Sequence, residues 1–324
     1  MRLQRSASLI GLAAASSLVL AACSTTGDSD NGDSHAELTI VATTTPLGSV
    51  TEQIAACAGG NYTTLMPVGA DPHDFSASSA QIAALMKSDV VIANGLGLEG
   101  GLATTLDQVE LDGIPVVDVA DEVNPLPFGD HDHEHDDHDH AGHEGHDHGE
   151  FDPHFWLDAG RMAQAAELIG TKAAELSEDS KWQECGNEVS KQLTELDGEL
   201  RDTLHQVPAD KRVIVTDHDA FGYFNAAYGF ESAGVVVPGG STEAEPSSQD
   251  LAALAATIKD RGVPVIFSNT AVGQGLVDSL AREVGNDVKV VPLYVGSTGP
   301  ADSPAADYQG MMRENARLIV EALS

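Results

Sequence analysis

Along most of this chain, short continuous apolar runs alternate with longer stretches in which apolar residues recur at helical spacing. Residues 38–44 read as a buried strand, and 46–58 as a helix that stops at Gly59-Gly60. Strand-like 62–67, helical 79–87 and the apolar run 89–93 follow, then helical 98–109 and a fourth strand at 114–119. Past the middle, 161–176 has helical periodicity. Residues 180–207 continue as a long charged helix with Val189, Leu193, Leu196, Leu200 and Leu204 along one face. At 1.5 Å per residue it is about 40 Å long, enough to run the height of a two-lobed protein.

The alternation then restarts. Strands are expected at 212–216, 231–237, 264–268 and 288–293, and helices at 220–228, 247–261, 272–284 and 308–323. Two groups of four strands with interleaved helices predict an α/β fold of two lobes, each with a mainly parallel four-stranded sheet flanked by helices. The expected boundaries are an N-terminal lobe over 38–176, a linking helix over 177–207 and a C-terminal lobe over 208–324.

The first 37 residues belong to neither lobe. Arg2 and Arg5 precede an apolar run from Leu9 to Ala22, shorter than a membrane-spanning helix needs, and 1–22 therefore reads as an export signal. The ending Leu20-Ala21-Ala22-Cys23 resembles the lipobox of bacterial lipoproteins. That resemblance implies cleavage before Cys23, a lipid on its sulfur, and a protein anchored at the outer face of the cell membrane. Residues 23–37, rich in Ser, Thr, Gly and Asp, would be the flexible tether.

Charge narrows the partners. With 51 acidic against 16 basic residues the net charge is −35, so a phosphate backbone would be repelled and no nucleic-acid partner is expected. A cationic ligand suits it. Beyond Cys23 the chain has Cys57 and Cys185, without a CxxC pair; in an exported protein they are a disulfide candidate.

Between Asp130 and His148 the sequence packs eight of the thirteen histidines, His131, His133, His135, His138, His140, His143, His146 and His148, among Asp and Glu. Neutral imidazole is a preferred ligand of zinc, whereas magnesium and calcium favour oxygen. Such a polar, low-complexity run has no scaffold for a defined cage and reads as an accessory loop collecting weaker ions. Three histidines outside it are better placed. His73 and His154 each end an Asp-Pro-His tripeptide, and proline stiffens both loops. His73 follows one predicted strand and His218 another, at the carboxyl ends where open α/β sheets bind ligands.

The motifs Asp71-Pro72-His73, Asn94-Gly95-Leu96-Gly97-Leu98-Glu99, Asp152-Pro153-His154-Phe155-Trp156-Leu157-Asp158, His218-Asp219-Ala220-Phe221-Gly222-Tyr223-Phe224, Glu245-Pro246-Ser247 and Met311-Met312-Arg313 occur in order. Together they resemble the metal-binding receptors of ABC importers, the cluster A-I solute-binding proteins, and above all their zinc branch. The resemblance covers the chain from the first strand to the end. It implies two α/β lobes joined by a single long rigid helix, and one zinc ion held by His73, His154 and His218. A membrane permease would be the partner, and a monomer is expected. Manganese-type members tend to carry a carboxylate at the third position; His218 suits zinc. At the fourth, Gly296 stands where many members have Asp or Glu, which leaves water or a carboxylate such as Asp302.

Other functions fit less well. Three histidines with an open position also describe catalytic zinc, but the chain has no HExxH, GxSxG or P-loop motif. An extracellular zinc buffer or chaperone would need the histidine-rich loop but not two lobes. The expected role is an extracytoplasmic zinc receptor, with a manganese or other divalent-metal receptor as the alternative.

Overall fold

The structure, a computed structural model, describes residues 37–128, 150–285 and 288–324. The export signal, Cys23, most of the tether and the histidine-rich loop lie outside the described residues. The N-terminal half builds β1 (Thr39–Ala42), α1 (Thr45–Ala58), β2 (Asn61–Thr64), α2 (Ser79–Leu85), β3 (Val90–Ala93), α3 (Ala103–Leu111), β4 (Val116–Asp118) and the short α4 (Val119–Glu122). Helices α5 (Ala159–Ser177) and α6 (Lys181–Leu204) follow. The C-terminal half holds β5 (Val213–Thr216), α7 (Gly222–Tyr228), β6 (Glu231–Val235), α8 (Ser248–Arg261), β7 (Val265–Asn269), α9 (Gly275–Val284), β8 (Lys289–Leu293) and α10 (Tyr308–Leu323).

The strands form two sheets of identical order, β2-β1-β3-β4 and β6-β5-β7-β8, and every pairing is parallel. Parallel strands covered on both faces must be apolar throughout, and the inner strands β1, β3 and β7 are buried along nearly their whole length. Alternate residues serve different cores. Ile40, Ile92, Ile214 and Phe267 join a large central cluster. Val41 and Val91 face a second cluster with Leu85 and Val109, and Val215 and Ile266 a third with Ile258 and Leu280.

That central cluster modifies the expected architecture. It contains residues of both sheets, together with Leu193, Leu196 and Leu200 of α6 and Met311, Ile319 and Leu323 of α10. Helix α6 packs on α1 from one half and on α7 and α10 from the other. The lobes are therefore joined by a continuous apolar core as well as by a helix. With 24 residues, α6 is about 36 Å long. It lies tightly against α5: a Cβ on Gly170 would come within 2.7 Å of the Gly186 Cα, so side chains are excluded at this crossing. Cys57 of α1 and Cys185 of α6 form a disulfide with Cα atoms 5.8 Å apart.

One helix starts later than its pattern suggests. Residues 94–99 form a loop in which Leu96 takes a left-handed φ of 51°, and a 3-10 turn at Gly100–Leu102 precedes α3. The buried Glu99 carboxylate organises this loop, accepting from Thr43 Oγ1 at 2.6 Å and from the Asn94 and Gly95 N–H groups. Asn94 in turn donates to the Pro153 carbonyl at 2.9 Å, tying this loop to the second Asp-Pro-His segment.

Candidate metal centre

Three loops bring imidazoles together. His73 stands beyond the carboxyl end of β2, His218 two residues past the end of β5, and His154 just ahead of α5. Both Asp-Pro-His segments form the same Asx turn, with the Asp71 carboxylate accepting from the His73 N–H at 3.1 Å and that of Asp152 from the His154 N–H at 2.9 Å. Further bonds fix the second turn. Tyr223 Oη donates to the Asp152 carbonyl at 2.8 Å, Trp156 Nε1 to the Val295 carbonyl at 2.8 Å, and Tyr308 Oη to the Trp156 carbonyl at 2.6 Å.

The three rings point their Nε2 atoms at one another. His154 Nε2 lies 3.2 Å from His73 Nε2 and 3.3 Å from His218 Nε2, and one ligand atom from each residue falls within 4.8 Å of the others. Among the described residues this is the one cluster of three or more His, Cys, Asp or Glu able to share an ion. All three side chains are buried.

Two rings are oriented from behind. The Asp152 carboxylate is 2.8 Å from His154 Nδ1, and that of Asp217 is 3.1 Å from His218 Nδ1. A carboxylate accepting from Nδ1–H leaves a lone pair on Nε2, the tautomer a metal requires. His73 has another arrangement, because the second oxygen of Asp71 is taken by Thr242 Oγ1 at 2.6 Å.

Burial decides the proton affinities of this cluster. It drives His73 down to about 2, with the neighbouring imidazoles adding to the effect, and drives His154 well below the usual histidine range. Burial would lower His218 as well, but the adjacent Asp217 carboxylate and the charges of Asp71 and Asp219 outweigh it, and its affinity is raised. Burial also lifts the Asp152 carboxyl to about 7, against the lowering by the His154 N–H.

Asp302 is not brought to the cluster: it is exposed in the turn before α10. Gly296 does come close, since a Cβ there would meet Pro72 Cδ at 2.8 Å, so the proline of the first Asp-Pro-His crowds the position. Sequence reasoning assigned no role to Asp152, Asp217 or Tyr223. The two carboxylates were legible as acidic neighbours one or two residues before a histidine; the reach of Tyr223 to another loop was not.

The family model for ZnuA, the zinc-uptake complex component A, periplasmic, matches residues 40–322. The chain belongs to this family. Among relatives, the zinc-binding protein TroA of Treponema pallidum is 30% identical over 288 residues, covering 86% of this chain and 88% of TroA. The manganese-binding lipoprotein MntA of Halalkalibacterium halodurans is 27% identical over 311 residues, covering 95% of each chain. The solved structure of the T. pallidum TroA superposes with a TM-score of 0.76 at 28% identity, covering 89% of this chain and 99% of that one. The chain is thus similar to proteins named for zinc and to proteins named for manganese.

Proposed function

We propose that this chain is an extracytoplasmic receptor that binds one zinc ion as cargo through His73, His154 and His218 and delivers it to an ABC-type import permease. The observation that carries this reading is the convergence of three buried Nε2 atoms, two of them backed by carboxylates on Nδ1. Three neutral nitrogens and no thiolate suit zinc, with water supplying the fourth position. Manganese is the second reading, favoured by the MntA relatives; three imidazoles are a softer set than manganese prefers.

Lipidation at Cys23 would hold the receptor at the membrane's outer face, a reading supported by relatives that are named lipoproteins. The histidine-rich loop would add weaker ions. Among the described residues no helix is long and apolar enough to cross a membrane.

The test is competitive titration of the metal-free protein with zinc and manganese, alongside His73→Ala, His154→Ala and His218→Ala. One tight zinc site is expected, weakened at least about 100-fold by each substitution, because each removes a ligand bond. Retention of the tight site in all three variants would overturn the assignment.

A further inference from the structure

The three imidazoles are buried, and no cation reaches them unless it passes through a neighbouring space. One cavity of about 400 Å³ borders the cluster, with His218 and Asp217 in its wall. It lies at the carboxyl ends of β5 and β7 beneath the segment that links β6 to α8.

Several bonds hold that segment down, three of them to the residues beside the histidines. Val237 N–H donates to the Asp217 carbonyl at 2.7 Å, the Gly239 carbonyl accepts from the Asp219 N–H at 3.1 Å, and Thr242 Oγ1 donates to the Asp71 carboxylate at 2.6 Å. The last bond links the two halves, since Asp71 belongs to the turn that carries His73. Two residues of the cavity wall, Asp217 and Ser268, also carry a buried oxygen without a hydrogen-bond partner, Oδ1 and Oγ, each lying beneath the wall's surface rather than on it. Glu245, exposed at the rim, adds a carboxylate.

We propose that this cavity is the antechamber of the metal centre, a transit site for a hydrated divalent cation, and that the Thr242–Asp71 bond latches it. The size fits. Six waters at about 30 Å³ each fill roughly 180 Å³, well inside the available volume. The ion exchanges its water for His218 and then for the other two imidazoles, while the Asp217 carboxylate holds His218 at Nδ1. This inference rests on the zinc-receptor reading and concerns the route to that site.

Stopped-flow measurement of zinc association, and of chelator-driven dissociation, on the full chain tests it. Val272→Trp from the loop after β7, and Leu276→Trp from α9, each fill the cavity from its wall. Both should slow association and dissociation together by about tenfold or more while leaving Kd within about threefold, the signature of an obstructed path. Thr242→Val removes the latch and should speed dissociation about fivefold or more, as loss of a lid contact does. Unchanged rates in both tryptophan variants would overturn the proposal. So would a weaker Kd caused by faster dissociation alone in the two tryptophan variants, which would make the cavity merely a support for His218. Failure of the receptor reading looks different: the unsubstituted protein would then lack a tight zinc site, or keep it in all three His→Ala variants.

Discussion

Lowering the pH removes metal from histidine sites, and the size of the effect reports how the histidines were held beforehand. On the proposed function, zinc would need the Nε2 lone pair of all three rings. His73 and His154, driven down by burial, are already neutral at pH 5 and compete for no protons there. His218 is raised and must surrender one proton. Asp152, lifted to about 7, must surrender a second if it is to accept from His154 Nδ1–H. Both protons are bound below these raised values, so affinity is full at high pH and falls as pH drops through them. Each proton costs close to tenfold per pH unit, so from pH 6 to pH 5 the zinc affinity should fall about 100-fold. Three ordinary histidines at 6.5 would each lose about 7.8-fold over the same unit, about 500-fold together.

The assay is zinc competition against a chelator of known proton linkage, with Asp152→Asn as the internal control. Asparagine cannot carry the second proton. Its pH dependence should drop to about tenfold over that unit, one proton's worth, while its zinc affinity at pH 7.5 weakens about 10- to 100-fold because His154 loses its charged orienting partner. A fall near 500-fold in the unsubstituted protein, or an undiminished slope in Asp152→Asn, would refute the reasoning.

Two further outcomes concern the frame. The Cys57–Cys185 disulfide closes a separation of 128 residues, and chain entropy puts its stabilisation at up to about 5 kcal/mol; urea unfolding of the metal-free Cys57→Ser/Cys185→Ser double variant should show most of that loss, and a loss below about 1 kcal/mol contradicts it. Gly186→Ala would drive a methyl to 2.8 Å from the Ala166 carbonyl oxygen and from Gly170 Cα. It should cost about 1–3 kcal/mol in the same assay, whereas a neutral result would show that α5 and α6 can separate without penalty.

Much of this was legible in the sequence because the inner strands are buried on both faces and leave continuous apolar runs, as in 39–42 and 90–93. Buried polar partnerships were harder to read: just past β1, the Thr43 hydroxyl goes to Glu99, and no periodicity foretells a partner 56 positions away. The three histidines were legible from repeated Asp-Pro-His segments and strand-end positions. Their protonation was not, because it depends on burial and on Asp217 and Asp71 approaching from different loops. The apolar core joining the lobes also escaped the pattern: Val265 and Phe267 read as core residues of a strand, but nothing in the strand says which neighbouring element they meet.

That shared core bears on how one fold can serve proteins named for different metals. Clamping a ligand by swinging two lobes together requires an interface that opens, and here the interface is packed hydrocarbon from α6, α10 and both sheets. Opening it would expose leucine, isoleucine and aromatic surface at roughly 25 cal/mol per Å². Closure energy is therefore a poor means of telling one divalent ion from another. What remains is the donor set and how firmly it is held. The set proposed for this chain is three imidazoles, two with carboxylates behind them, in turns pinned by Tyr223, Trp156 and Tyr308. On the proposed reading such a frame would resist the larger, oxygen-rich shell that a harder ion seeks. Selectivity would then rest on a few side chains at the strand ends, held in place by the packing around them.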